Sequence, residues 1–190
     1  MFLSFSGART ILGVRSANKK LGALRSDQRG VAAIEFALFG GLISVAMLNM
    51  TDISVYIYQR MQVEYATEVG AQAAWKTCDS TKLPATTNCS GLTNALQNAV
   101  GSTSLGTRVS LQSGSPSEGY YCVNSSNALQ YMSDVSAKPT DCSAAGKPGL
   151  QPGDYITVQT TFSYAPLFPG ITVTGAFTTP ITKTAWMRLG

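Results

Sequence analysis

Between Val31 and Met50 the chain carries one charge, Glu35, and from Phe36 to Thr51 it carries none. Counted from Val31 the apolar run reaches the roughly 20 residues with which a helix crosses a bilayer. The helical pattern then continues, with no proline before Pro84. Ile53, Ile57, Met61, Tyr65, Val69 and Ala73 recur at every fourth position, a helical apolar stripe. Glu64 and Glu68 mark the other face, with Arg60 four residues before Glu64. One helix over about 27–76 is predicted, roughly 70–75 Å long at its usual rise. Its first half lies in lipid, and its second half packs the stripe into a domain core. Gly40–Gly41 is a weak point within it, since glycine costs a helix about 1 kcal/mol.

After this helix the period changes. Residues 77–90 read as a loop, and Leu92–Val100 as a short helix stopped by Gly101. Arg108–Gln112 and Tyr120–Asn124 are short strand candidates, whereas 125–153, rich in Ser, Asn, Lys, Pro and Gly, reads mainly as loop. Tyr155–Tyr164 alternates strictly: Ile156, Val158, Thr160, Phe162 and Tyr164 face one way, as in a sheet with one buried side. Ile181–Leu189 alternates again, with Lys183 as the exception on its apolar side. These two strands are expected to pair antiparallel across Pro166–Pro180. The fold expected is α+β: one long N-terminal helix, part membrane span and part domain element, on a small antiparallel sheet.

Charge gives the helix an orientation. Only 13% of the 190 residues are charged, against about 25% in an average soluble protein. Residues 1–30 hold Arg9, Arg15, Lys19, Lys20, Arg25 and Arg29 against Asp27, a net +5, while residues 31–190 hold eight basic and nine acidic side chains, a net −1. The positive excess thus precedes the apolar run, as the positive-inside rule requires of a cytoplasmic segment. The expected organisation is a basic cytoplasmic leader (1–30), a transmembrane half-helix (31–52) and an exported domain (53–190). The folded part has no basic patch of the kind that nucleic-acid binding needs.

All four cysteines, Cys78, Cys89, Cys122 and Cys142, fall on the exported side, where an oxidising compartment favours disulfides. Their spacing lacks the paired Cys-x2-Cys of a structural zinc site. Three pairings are possible. Cys78–Cys89 and Cys122–Cys142 are preferred because each closes a short polar loop, the alternative being buried free thiols.

Catalysis has little to work with. The chain contains no histidine, which removes Ser-His and Cys-His nucleophile arrangements, and no Gly-rich phosphate loop follows a strand. Neither a cofactor nor a metal is expected. The informative constellation is Arg29-Gly30-Val31-Ala32-Ala33-Ile34-Glu35-Phe36. A protease working beside a membrane needs a small, flexible residue before the cut bond, and Gly30 supplies it. Cleavage there would free the amino group of Val31. Glu35 is costly in lipid, at least about 2.5 kcal/mol at the bilayer centre, and the α-amino group of a neighbouring subunit would offset that cost.

Gly30 followed by Glu35-Phe36 resembles the prepilin peptidase site of type IV pilin-like proteins. The stretch from Arg29 to Leu38, together with Gly153-Asp-Tyr-Ile-Thr-Val, Tyr164-Ala-Pro-Leu-Phe-Pro169 and Thr184-Ala-Trp-Met-Arg-Leu189, is similar to TadE-like proteins of tight-adherence (Flp) pilus systems. The resemblance covers about residues 25–76 and 150–190. It implies a pilin-like fold and a pseudopilin or minor pilin of the bacterial inner membrane, cut by a prepilin peptidase after Gly30. Its partners would be that peptidase, other pilins and pilus assembly proteins. The alternative is an uncleaved, membrane-anchored periplasmic binding or adhesion module.

Overall fold

The computed structural model describes residues 28–78, 80–177 and 179–190. The leader expected over 1–30 lies outside the described residues as far as residue 27. One helix, α1, runs Gln28–Thr77 without interruption at Gly40 or Gly41. Two short helices follow, α2 (Ala85–Asn88) and α3 (Leu92–Gly101). The strands are β1 (Val109–Leu111), β2 (Ser117–Val123), β3 (Leu129–Asp134), β4 (Gly153–Phe162) and β5 (Ile181–Arg188). The chain divides into two compact units, one ending at Met47 and one spanning Leu48–Gly190.

In the first unit the helix shows lipid-like side chains on every side. Val31, Ile34, Phe36, Leu38, Phe39, Leu42, Ile43 and Val45 are all exposed. A stretch of α1 is long and apolar enough to span a membrane, and none of it is buried.

In the second unit β4 is the organising strand. It pairs antiparallel with the whole of β5, Tyr155 opposite Arg188 through Phe162 opposite Ile181. Its other edge is shared: β1 pairs with residues 160–162 and β2 with residues 153–157. β3 pairs outside β2, with a bulge at Tyr120/Tyr121. The expected β4–β5 antiparallel pair is therefore present. β3 falls within the stretch read as loop. It is an edge strand whose residues are exposed or only half-buried, so no buried face imprints an alternation on it.

The core lies between the helices and one face of the sheet. Ile156, Val158, Thr160 and Phe162 are all buried on that face. They meet Leu96 and Val100 of α3 and Val63, Ala66, Ala71 and Ala74 of α1. Two hydroxyls cross this layer. Thr67 donates to the Val63 carbonyl (2.6 Å), so the 2.6 Å link to Thr160 is donated by Thr160. Lys183, the misfit in β5, sits opposite Thr160 on the inner face and reaches Glu64 of α1 at 2.6 Å. The polar position in that strand is thus a tie between sheet and helix.

The stripe that sequence reasoning assigned to the core is not buried: Ile53, Val69 and Ala73 are half-buried and its middle faces outward. Ile57, Met61 and Tyr65 are 51–63% exposed. The buried positions of α1 are instead Asp52, Val63, Ala66, Thr67, Gly70, Ala71 and Ala74, with Cys78 buried just past its end. At about 100° per residue a strict four-residue repeat advances roughly 40° per step, so it winds around the helix instead of holding one face. From Val63 onward the buried set falls at 63, 66–67, 70–71 and 74, spacings of three and four that hold one face, and its residues are small. A Cβ added at Gly70 would lie 2.9 Å from Val100 Cγ2 and 3.4 Å from Val158 Cγ1. Helix and sheet approach too closely for larger side chains.

Two carboxylates, Glu118 and Asp154, lie close together at the end of the sheet next to α2. Glu118 accepts from the N–H groups of Ala85 (2.8 Å) and Thr86 (2.7 Å) and from the Thr86 hydroxyl (2.7 Å), satisfying the start of α2. Asp154 is buried beside Glu118, and its Oδ1 has no hydrogen-bond partner. Burial first, then the Glu118 charge, pushes Asp154 up to about 6, against a smaller opposing effect of Lys138.

Two outcomes follow from this packing. Gly70→Val should lower stability by about 1–3 kcal/mol through overpacking, read as a drop in the thermal midpoint by circular dichroism. Asp154 holds its proton to about pH 6 in the fold but releases it near 4 when unfolded. The folded state therefore binds more protons between pH 4 and 6, and this group's contribution falls as pH rises through that window. Urea midpoints should show Asp154→Asn gaining on the parent by about 1–3 kcal/mol between pH 4 and 7.

Candidate functional site

The residues singled out for processing lie in the first three turns of α1. Gly30, Val31, Glu35 and Phe36 are all helical and all exposed, Phe36 at 81%. Val31 and Glu35 stand four apart, one above the other on the same side of the helix. An added Cβ at Gly30 would meet nothing within 4 Å, so packing places no demand on a glycine there.

At the start of the second unit α1 carries a polar centre that sequence reasoning missed. Asp52 was read as the end of the span, yet it is fully buried in the domain. Its Oδ1 accepts from the Tyr164 hydroxyl at 2.7 Å and the Leu167 N–H at 3.0 Å. Its Oδ2 accepts from the Thr174 hydroxyl at 2.6 Å and from the Thr172 hydroxyl. One turn earlier, Asn49 Oδ1 accepts from the Val173 N–H at 2.9 Å. An ionised carboxylate is acceptor-only, and here four donors converge on it from the β4–β5 connection. Tyr56 backs the cluster, its ring edge-on to Tyr164 at 5.0 Å and tilted against Phe177 at 4.7 Å. Burial and the Asp52 carboxylate raise the Tyr164 hydroxyl above its ordinary value. The sequence signal was a lone Asp just past an uncharged run, with Thr172 and Thr174 two apart in a loop.

The cysteines form two bridges, Cys78–Cys89 and Cys122–Cys142, in the preferred pairing. The first ties the end of α1 to the segment after α2. The second anchors residues 135–152, where Cys122, Cys142 and Ala145 form a small core with Met132 beside them. Asp141 shapes that loop by accepting from the N–H groups of Ser143 (3.0 Å) and Gly149 (3.2 Å).

These arrangements hold and position chain; none pairs a nucleophile with a base. Among the described residues no group of three or more His, Cys, Asp or Glu is placed to bind a metal ion. No family model, curated protein or solved structure matches the chain.

Removing the Asp52 carboxylate leaves buried donors without an acceptor, which costs about 1–3 kcal/mol for each group left unsatisfied. Asp52→Ala should lower stability by about 2–4 kcal/mol. Amide exchange at Leu167 and Val173 should accelerate more than that of β4. Asp52→Asn, which keeps one oxygen acceptor, should lose less.

Proposed function

We propose that this chain is a TadE-like pseudopilin or minor pilin of a tight-adherence pilus, held in the bacterial inner membrane by α1 and cut after Gly30 by a prepilin peptidase. The N-terminus is cytoplasmic and the domain periplasmic. The observation that carries the reading is the division of labour along α1. The helix is apolar on every side up to Met47, then packs one face of small residues on the sheet while Ile57, Met61 and Tyr65 stay exposed. A subunit that leaves lipid for a fibre needs such a helix, because its lipid contacts must be replaced by other helices. Beside this face a cleft of about 390 Å³ is bordered by Ile53, Tyr56, Ile57, Arg60, Ala176 and Phe177. Gly30 fits the same reading: no packing requires it, whereas a peptidase needs a residue without a side chain there. Glu35 is the single charge between Val31 and Met50. Pairing with the freed amino group of a neighbouring subunit would set its axial register.

A second reading, an uncleaved anchored binding or adhesion module, draws on the outer sheet face. There the Tyr121 ring touches those of Tyr131 and Tyr155 at centroid distances of 5.5 and 5.7 Å, and Trp186 is exposed.

Intact mass of the protein from the membrane fraction separates the two. The pilin reading expects a mature chain beginning at Val31, and accumulation of the long form in Gly30→Leu. A full-length chain unaffected by that change favours the anchored module. Glu35→Ala should leave the domain's thermal midpoint unchanged while lowering recovery in sheared pili at least several-fold.

A further inference from the structure

The connection between β4 and β5 shows three aliphatic side chains to solvent. Leu167, Ile171 and Val173 are 54, 56 and 56% exposed. They belong to the run 155–182, which contains no charged residue. The loop is held against one level of α1. Leu167 is bonded through its N–H to Asp52, and Val173 through its N–H to Asn49. Thr172 and Thr174 turn their hydroxyls onto Asp52, and Ile171 and Val173, alternating with them, are left outside. That level is where the uncharged stretch Phe36–Thr51 ends. Asn49 and Asp52 lie within about 5 Å of each other along the helix axis. Tyr56 and Tyr58 follow at once, aromatic residues of the type that favours the membrane–water boundary.

We infer that the loop 166–174 is a membrane-surface foot, docking Leu167, Ile171 and Val173 into the lipid interface beside the exit of α1. The inference rests on the membrane reading of α1 given above, and it goes further by assigning a second, non-helical lipid contact to the domain. Continuity selects lipid as the occupant. Backbone groups tied to Asn49 and Asp52 sit at the end of the span, and an uncharged aliphatic surface at that depth meets acyl chains and headgroups. Asp52 and Asn49 make this possible by taking the Leu167 and Val173 N–H groups and the Thr172 and Thr174 hydroxyls inward, which lowers the cost of setting the loop against the bilayer.

The test uses the full chain in nanodiscs of phosphatidylethanolamine and phosphatidylglycerol. Single nitroxide labels are placed at Leu167→Cys, Ile171→Cys, Leu42→Cys in the span and Leu129→Cys on the edge strand β3, under conditions that keep the native disulfides. Relaxation by oxygen, which concentrates in lipid, is compared with relaxation by a water-soluble nickel chelate. Positions 167 and 171 should follow 42, with oxygen the stronger relaxant, and 129 should show the reverse. Nickel dominating at 167 and 171 while oxygen dominates at 42 overturns the foot and leaves the span standing. Protection from both reagents at 167 and 171 also overturns it, since the loop would then be covered by protein. Nickel dominating at 42 removes the membrane reading, and the foot with it.

Discussion

A buried carboxylate at the base of the domain decides how the helix and the sheet meet. Asp52 is the first charged residue after a long uncharged run, and burial without partners would cost it several kcal/mol. Two hydroxyls of the β4–β5 connection, the Tyr164 hydroxyl and a backbone N–H all point to it. Ordering that many donors around one group leaves the connection little freedom. The same contacts fix where along α1 the end of β4 must sit, because Tyr164 lies two residues beyond that strand. From there the register of Ile156, Val158, Thr160 and Phe162 against Val63, Thr67 and Ala74 follows.

The small residues of α1 do the rest. Ala66, Gly70, Ala71 and Ala74 let the helix lie close to the sheet. Close approach brings many backbone and short side-chain atoms into contact, and dispersion accumulates over them. It also leaves no room for the large apolar residues of α1, which are turned away. The chain therefore carries two apolar helix faces of different character: one small and buried, one bulky and exposed.

This contrast explains how far the sequence could be read. The long helix was legible to within a residue at each end, since nothing in 28–77 interrupts it. β4 and β5 were legible because one face of each is more buried than the other. Lys183 was recognised as an exception, but its reason, Glu64 119 positions away, could not be read from local pattern. The core face of α1 was misread because a strict four-residue apolar repeat was taken as one face, whereas the close approach of the sheet selected alanine and glycine on another. β3 was missed because an edge strand with little burial has no periodic imprint. The pairing of cysteines was legible from loop length alone, whereas the Asp52 centre depends on contacts across more than a hundred residues. Gly30 and Glu35 lie where the fold makes no demand, so any constraint on them comes from chemistry outside this chain.

The two ends of the domain part of α1 are fastened differently. Asp52 holds the lower end through hydrogen bonds, and Cys78–Cys89 holds the upper end covalently. Tension applied along the helix axis would therefore meet the sheet interface in shear, with every contact from Val63 to Ala74 loaded at once. A peeling load would break the same contacts one at a time. Fastening at both ends thus makes this interface strong in the direction in which a membrane helix is pulled, without requiring any single contact to be strong.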